Sequence, residues 1–102
     1  MIELVKQYRQ ALDTLCRKYH VSRLEVFGSA VAGDFDEQSS DLDFLVEFLS
    51  LETGRAADDY FGLLFDLQGL FGRPVDLVMT SAIKNPYFLQ SINQNREVLY
   101  AA

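Results

Sequence analysis

Short apolar runs alternate with longer segments of helical periodicity along this chain of 102 residues. Three runs are strand-like: "VSRLEVFGS", which starts at Val21, "DLDFLVEFL", which starts at Asp41, and "RPVDLVMT", which starts at Arg73. They are rich in Val, Leu and Phe and are bounded by glycine or polar turn segments, as β-strands usually are. This alternation constrains the fold to a sheet with helices packed on it, an α/β or α+β architecture.

Apolar residues spaced three and four apart predict a first helix from Ile2 to Tyr19 and a second from Ala57 to Phe71. Gly72 suits a left-handed cap at the end of the second helix. A third helix is predicted from Pro86 to about Asn95, with Asn85 as its N-cap. The tail "REVLYAA" predicts either a short edge strand or a segment that simply packs on the rest.

Composition limits the function classes. Residues 1–102 predict one domain, 49% of them hydrophobic, without a signal peptide or membrane segment, hence a soluble cytoplasmic protein. One cysteine, Cys16, predicted in the core, and one histidine, His20, exclude an internal disulfide and a Cys/His zinc site. The net charge of −6 disfavours binding to free nucleic acid.

Two aspartates lie inside the second strand-like run. Residues two apart on a strand share a face, so Asp41 and Asp43 present their carboxylates side by side. Like charges so placed repel, and a divalent cation removes the repulsion, since Mg²⁺ is held by one or two carboxylates plus substrate phosphates. If the second and third strands are neighbours, Asp76 joins them, and three acids could hold two metal ions about 3.5 to 4 Å apart.

The turn Gly28-Ser29 follows the first strand and opens a brief helix or loop that reaches about Gly33. Glycine lets a backbone approach a phosphate closely, and amides at a helix start attract anions. Ser29 adds a hydroxyl donor. Ser40 either contacts phosphate or terminates the loop before Asp41. The residues thus suggest a phosphate site next to a metal site.

Gly28-Ser29, Gly33, "SDLDFLV" from Ser40 and "VDLV" from Val75 together resemble the nucleotidyltransferase domain of the DNA polymerase beta superfamily, and most closely its minimal nucleotidyltransferases. The resemblance covers nearly the whole chain and implies a mixed sheet flanked by helices. Asp41 and Asp43 would then bind the metals that carry a nucleoside triphosphate.

In the same family terms, Asp76 would bind the catalytic metal and help to activate the acceptor hydroxyl, while Gly28 and Ser29 would touch the phosphates. Many relatives pair with a HEPN-domain toxin as its antitoxin, and some transfer AMP from ATP to a toxin tyrosine. The resemblance therefore implies Mg²⁺, ATP or another nucleoside triphosphate, and a HEPN-domain partner. Whether the chain forms a homo-oligomer or a hetero-oligomer is left open by the sequence.

The turn departs from the family pattern, because relatives commonly carry arginines there and this chain has Ala30, Val31 and Ala32. Arg55, Arg73 or Lys84 could supply the missing charge from elsewhere. Two hypotheses follow: a transferase that modifies a protein hydroxyl, or an antitoxin that acts mainly by binding its toxin. Modification of a small molecule or an RNA end is a third, less favoured reading.

Other residues have simpler interpretations. Asp58 and Asp59 are predicted to complement the dipole at the start of the second helix. His20 is expected in a partly exposed turn. Tyr87 and Phe88 pack on the sheet or contribute to a partner-binding surface. Four aromatic side chains are expected in the core: Tyr60, Phe61, Phe65 and Phe71.

Overall fold

A computed structural model describes residues 3–28, 42–49, 56–80, 83, 85–87, 90 and 96–102 of the chain. The helices are α1 (Glu3–Gln7), α2 (Arg9–Lys18) and α3 (Ala56–Phe71), and the strands are β1 (Val21–Phe27), β2 (Leu42–Phe48), β3 (Val75–Met79) and β4 (Arg96–Ala101). All three predicted strands form, and the tail is a strand, the first of its two predicted alternatives. No helix in these residues is long and apolar enough to cross a membrane.

The four strands form one mixed sheet in the order β3-β2-β1-β4. β1 lies antiparallel to both β2 and β4, whereas β2 and β3 are parallel. Parallel neighbours need a crossover, and α3 lies between β2 and β3 in the chain. This mixed sheet with helices packed on it confirms the predicted mixed sheet flanked by helices.

The helices pack on one face of this sheet. Alternate strand residues, among them Leu24, Val26 and Phe44, point to that face. They pack there against Leu12, Leu63 and Leu67 of the helices in the main core. Cys16 is fully buried in the same core, as predicted. A bulge between Val21 and Arg23 shifts the alternation, so Val21 faces the core together with Leu24.

The opposite face of the sheet carries a second, smaller apolar cluster. Phe27 and Leu45 are buried there, with Val78 and Ile83 packed against them. Asp43 and Leu45 share this face of β2, and Asp76 and Val78 share it on β3, because residues two apart point the same way. Asp43 and Asp76 therefore lie on the face opposite the helices.

The first predicted helix is two helices with an interruption at Tyr8. Its φ of −104° and ψ of 19° depart from helical values. The Tyr8 N–H donates to the carbonyl of Val5 at 3.3 Å, a bond between residues three apart as in a 3₁₀ turn, and not four apart as in an α-helix. The Tyr8 ring packs edge-on against Phe71, with ring centroids 5.3 Å apart. Apolar spacing continues through the interruption, so periodicity alone predicted one helix.

The cap predictions for two helices are confirmed. Gly72, with φ of 63°, follows α3 in the left-handed conformation, and its N–H donates to the carbonyl of Gln68 at 2.8 Å. Asn85 accepts a hydrogen bond from the N–H of Tyr87 at 2.9 Å, as an N-cap side chain does. Pro86, Tyr87 and Gln90 are helical, whereas residues 88, 89 and 91–95 of the predicted helix, and with them the prediction for Phe88, lie outside the described part.

The prediction for the aromatic residues of α3 is half wrong. Phe71 is buried, and Tyr60 is partly buried with its hydroxyl donating to the carbonyl of Leu77 at 2.6 Å. Phe61 and Phe65 instead point to solvent, with 64% and 75% of their surface exposed. The helix is apolar on several sides, so its periodicity does not distinguish the packed face from the outer one.

Candidate active site

Asp43 and Asp76 are direct neighbours across the β2–β3 pair. The parallel register sets Asp43 opposite Asp76, at the spacing of adjacent strands, about 4.8 Å between backbones. Asp43 is partly buried on an inner strand, whereas Asp76 is exposed on the edge strand β3. The structure thus brings together the two described members of the predicted acidic set, and Asp76 lies at the solvent side of the pair.

Gly28 lies directly beneath the carboxylate of Asp43. It follows Phe27, the residue paired with Asp43 across β1 and β2. A Cβ added to Gly28 would lie 2.7 Å from Oδ2 of Asp43, and the φ of Gly28 is 75°. Only glycine meets both conditions without strain. The turn glycine and the acidic pair therefore form one site, at the end of β1 and the beginnings of β2 and β3.

The donor chemistry of this pair fits a hard divalent cation. Two like charges opposite each other on adjacent strands destabilise a sheet unless a cation lies between them. Carboxylate oxygens suit Mg²⁺, which commonly takes one or two of them and completes its coordination with water and phosphate oxygens. Among the residues that the structure describes, no three His, Cys, Asp or Glu side chains are close enough to hold a metal on their own.

Three of the predicted site residues, Asp41, Ser29 and Ser40, lie outside the described residues. The same holds for residues 30–32 of the turn and for Arg55 and Lys84. Their assigned roles stay predictions. Arg73, the third suggested source of positive charge, is described and partly buried just before β3.

A charged cluster on the same face of the sheet was missed by sequence reasoning. The carboxylate of Glu25 is 4% exposed and lies between two guanidinium groups. Arg23 donates to Oε1 from Nε at 3.1 Å and from Nη2 at 3.0 Å, and Nη2 of Arg96 lies 2.6 Å from Oε2. The spacing of Arg23 and Glu25 on one strand could have indicated the first contact. The second depends on how β4 pairs with β1.

His20 lies far from the acidic pair, as expected. It is in the turn after α2 with φ of 60°, its side chain is 41% exposed, and its Nδ1 lies 3.1 Å from Oδ2 of Asp59. Asp58 and Asp59 are both in the first turn of α3, as predicted, but Asp59 is buried against His20. These residues tie α3 to the turn before β1 and take no part in the candidate site.

Comparison with known proteins agrees with this geometry. The family model described as "Nucleotidyltransferase domain" matches residues 8–99. A protein of Methanocaldococcus jannaschii with the provisional name protein adenylyltransferase is 35% identical over 96 residues, which span 91% of this chain and 88% of that protein. A second protein of that organism with the same provisional name is 31% identical over 93 residues, with the same shares covered.

Solved structures show the same fold. A structure described provisionally as a minimal nucleotidyltransferase superposes with a TM-score of 0.73 at 32% identity, covering 94% of this chain and 95% of the other. A chain from the Shewanella oneidensis complex of a tri-AMPylated HEPN toxin with an MNT antitoxin has a TM-score of 0.64 at 17% identity, over 95% and 72% of the two chains. The chain in which Asp43 is paired with Asp76 and lies close to Gly28 belongs to the nucleotidyltransferase domain family.

Proposed function

We propose that this chain is a Mg²⁺-dependent protein adenylyltransferase, which transfers AMP from ATP to a hydroxyl group of a partner protein in the cytoplasm. The proposed partner is a HEPN-domain toxin, for which this chain is the antitoxin. The observation that carries the proposal is the pairing of Asp43 with Asp76 across parallel strands, with Gly28 against the carboxylate of Asp43. Two acids and a close-approach backbone suit a nucleotide whose phosphates arrive with a metal.

The proposed roles follow the position of each residue. Asp43, with Asp41 in the predicted role, holds the metal that carries the triphosphate, and Gly28 allows the phosphates close to the backbone. When bound, Mg²⁺ supplies charge neutralisation for the phosphate oxygens. Asp76 is the solvent-exposed carboxylate of the pair, which supports its proposed role at the acceptor hydroxyl.

The transfer step exchanges one phosphorus–oxygen bond for another. The acceptor oxygen attacks the α-phosphorus of ATP, and the bond from that phosphorus to the bridging oxygen of the β-phosphate breaks. Pyrophosphate leaves with the electron pair of that bond, and Asp76 helps to remove the hydroxyl proton. Attacking and leaving oxygens lie roughly in line in such transfers, so the acceptor and the pyrophosphate occupy opposite sides of the α-phosphate.

The toxin as acceptor is supported by the relatives. Two archaeal relatives carry the provisional name protein adenylyltransferase. A HEPN toxin in complex with an MNT antitoxin of this fold is AMPylated three times. Another toxin-antitoxin structure of the same fold contains AMP-PNP, an ATP analogue. These observations favour a protein acceptor and an adenine nucleotide over an RNA end or a small molecule.

The proposal is tested by incubating the protein with Mg²⁺, ATP labelled at the α-phosphate, and the HEPN-domain protein encoded beside it. Label should appear on the partner protein, and Asp43→Asn or Asp76→Asn should reduce the labelling rate at least a hundredfold. Glu47→Gln is the matched control for Asp43→Asn. Glu47 lies on the same strand and the same face as Asp43, but it is exposed at the other end of that strand. Unchanged labelling by both aspartate variants would disprove the mechanism.

A second function, neutralisation of the toxin by binding alone, is favoured by a specific observation. The exposed fraction of the residue surface is 64% for Phe61, 75% for Phe65 and 81% for Tyr87. Exposed large apolar side chains are common at protein interfaces. In the same experiment, a stable complex that remains unlabelled would support the binding function and contradict the enzymatic one.

A further inference from the structure

The cluster of Arg23, Glu25 and Arg96 lies on the same sheet face as the acidic pair and joins two guanidinium groups to one buried carboxylate. The Glu25 side chain is 4% exposed, and a buried polar group is costly unless it has hydrogen-bond partners. Two guanidinium groups surround it, with contacts of 3.0 Å from Arg23 and 2.6 Å from Arg96. Both guanidinium groups thus converge on one buried carboxylate, which fixes their positions on this face.

The strand registers place Arg96 in line with the acidic pair. Asp76 is opposite Asp43, Asp43 is opposite Phe27, and Phe27 is opposite Arg96, so the four residues form one row across the sheet. With strands about 4.8 Å apart, the backbone of Arg96 lies roughly 10 Å from that of Asp43. Phe27 lies between Asp43 and Arg96, and Gly28 is the next residue along the chain.

Arg23 lies outside the row that contains Arg96 and the acidic pair. It lies on β1 four residues before Phe27, which is about 13 Å along a strand. It pairs in register with Glu47 and Ala101, at the end of the sheet away from Gly28. Of the two arginines of the cluster, Arg96 is therefore the one closer to the candidate site.

The direction of the proposed transfer reaction indicates which part of the nucleotide lies on the Arg96 side of Asp43. If Asp76 meets the acceptor hydroxyl, the acceptor lies on the β3 side of Asp43. The leaving pyrophosphate must then lie on the opposite side, because attacking and leaving oxygens are in line. On the side of Asp43 away from Asp76, the row contains Phe27 and Arg96. A guanidinium group matches phosphate oxygens in both charge and geometry.

We propose that Arg96 contacts the outer phosphates of the nucleotide and stabilises the leaving pyrophosphate, and that Glu25 is a positioning residue that holds the Arg96 guanidinium group in place. This inference rests on the proposed function and names the group that supplies the positive charge. The turn after Gly28 carries none in residues 30–32, where the sequence has Ala, Val and Ala. Arg96 is 29% exposed, enough for a ligand to reach it.

The test is a comparison of ATP with AMP, which lacks the outer phosphates, by NMR titration of the protein with Mg²⁺. Arg96→Gln should raise the Kd for ATP about tenfold or more, as expected for loss of a charge-assisted hydrogen bond. Its Kd for AMP should stay within twofold. Arg23→Gln is the matched control, because it removes the other guanidinium group from the same carboxylate, and it should leave both Kd values within twofold.

Two further variants separate positioning from folding. Arg96→Lys keeps a cation beside Glu25 and so preserves the fold, but it loses the planar fork, and its Kd for ATP should rise at least threefold. Glu25→Gln should raise the Kd for ATP and not for AMP, since a purely structural change would move both. The NMR spectrum of each variant reports its fold directly.

Three results would overturn the inference. Arg96→Gln and Arg96→Lys could leave ATP binding unchanged, Arg23→Gln could weaken it as much as Arg96→Gln does, or ATP and AMP could be affected equally. In all three the wild-type protein still binds ATP with Mg²⁺, so the proposed function survives. A wild-type protein that binds no ATP would overturn the proposed function and this inference together.

Discussion

Oδ2 of Asp43 lies so close to Gly28 that a Cβ on the glycine would be 2.7 Å away from it. Gly28→Ala would also put alanine at a φ of 75°, which costs about 1 to 2 kcal/mol. We expect the carboxylate of Asp43 to be displaced, and the proposed AMP transfer to fall at least tenfold. The labelling rate and the free energy of unfolding in urea measure the two effects.

Gly72→Ala is the control for this prediction. Gly72 has a φ of 63°, and a Cβ there meets nothing within 4 Å. The variant should therefore lose a similar amount of stability from backbone strain while the labelling rate stays within twofold. Equal loss of activity in both variants would show that strain alone, and not contact with Asp43, explains the effect at Gly28.

The acidic pair was predictable from the sequence, whereas the position of Arg96 in the same row of the sheet was not. Asp43 and Asp76 each stand alone in an apolar run, a local pattern, and the α-helix between their strands favours a parallel pairing. The contact of Arg96 with Glu25 joins β4 to β1, which are distant in the chain. It also depends on an irregularity of register between Leu24 and Glu25, which no sequence pattern specifies.

The exposed phenylalanines of α3 give a second prediction. Phe65 is 75% exposed, so Phe65→Ser should change the free energy of unfolding by less than about 0.5 kcal/mol. Phe44 is fully buried and packs against Phe71 with ring centroids 6.0 Å apart, and Phe44→Ala should cost about 3 to 5 kcal/mol. Urea denaturation of both variants measures the contrast. A large loss for Phe65→Ser would mean that Phe65 is packed in solution.

A third prediction concerns the contact between Gly62 and Tyr19. The Tyr19 ring crosses α3 at Gly62, where an added Cβ would clash with Cε1 of the ring. The Tyr19 hydroxyl donates to Oδ2 of Asp66 one turn later, at 2.5 Å. Gly62→Ala must push the ring away and strain this hydrogen bond, so we expect a loss of about 1 to 3 kcal/mol in the free energy of unfolding.

Gly69 offers the opposite case on the same helix. A Cβ at Gly69 would meet nothing within 4 Å. Alanine there adds helix propensity without a clash, and Gly69→Ala should stabilise the protein by about 0.5 to 1 kcal/mol. Thermal and urea unfolding of the two variants should therefore shift in opposite directions. A shift of both in the same direction would contradict the packing of Tyr19 on Gly62.

The last prediction concerns the pH dependence of stability. Burial, helped by the negative charge of Asp13, raises the pKa of the Cys16 thiol from 9.0 to about 12. In the unfolded chain the thiol ionises from about pH 9, whereas the folded protein keeps its proton up to about pH 12. The unfolded state binds fewer protons in that window, so the free energy of unfolding should fall there by at most about 1.4 kcal/mol per pH unit.

Cys16→Ala isolates this contribution, because the variant has no thiol to titrate. The difference in unfolding free energy between wild type and variant should be constant below pH 8.5 and should shrink between pH 9 and 11. At pH 8, iodoacetamide should react with the native thiol far more slowly than with the unfolded one, since the thiolate is the nucleophile and the native site suppresses it. A native thiol that reacts at the unfolded rate would mean that Cys16 is accessible and its pKa ordinary.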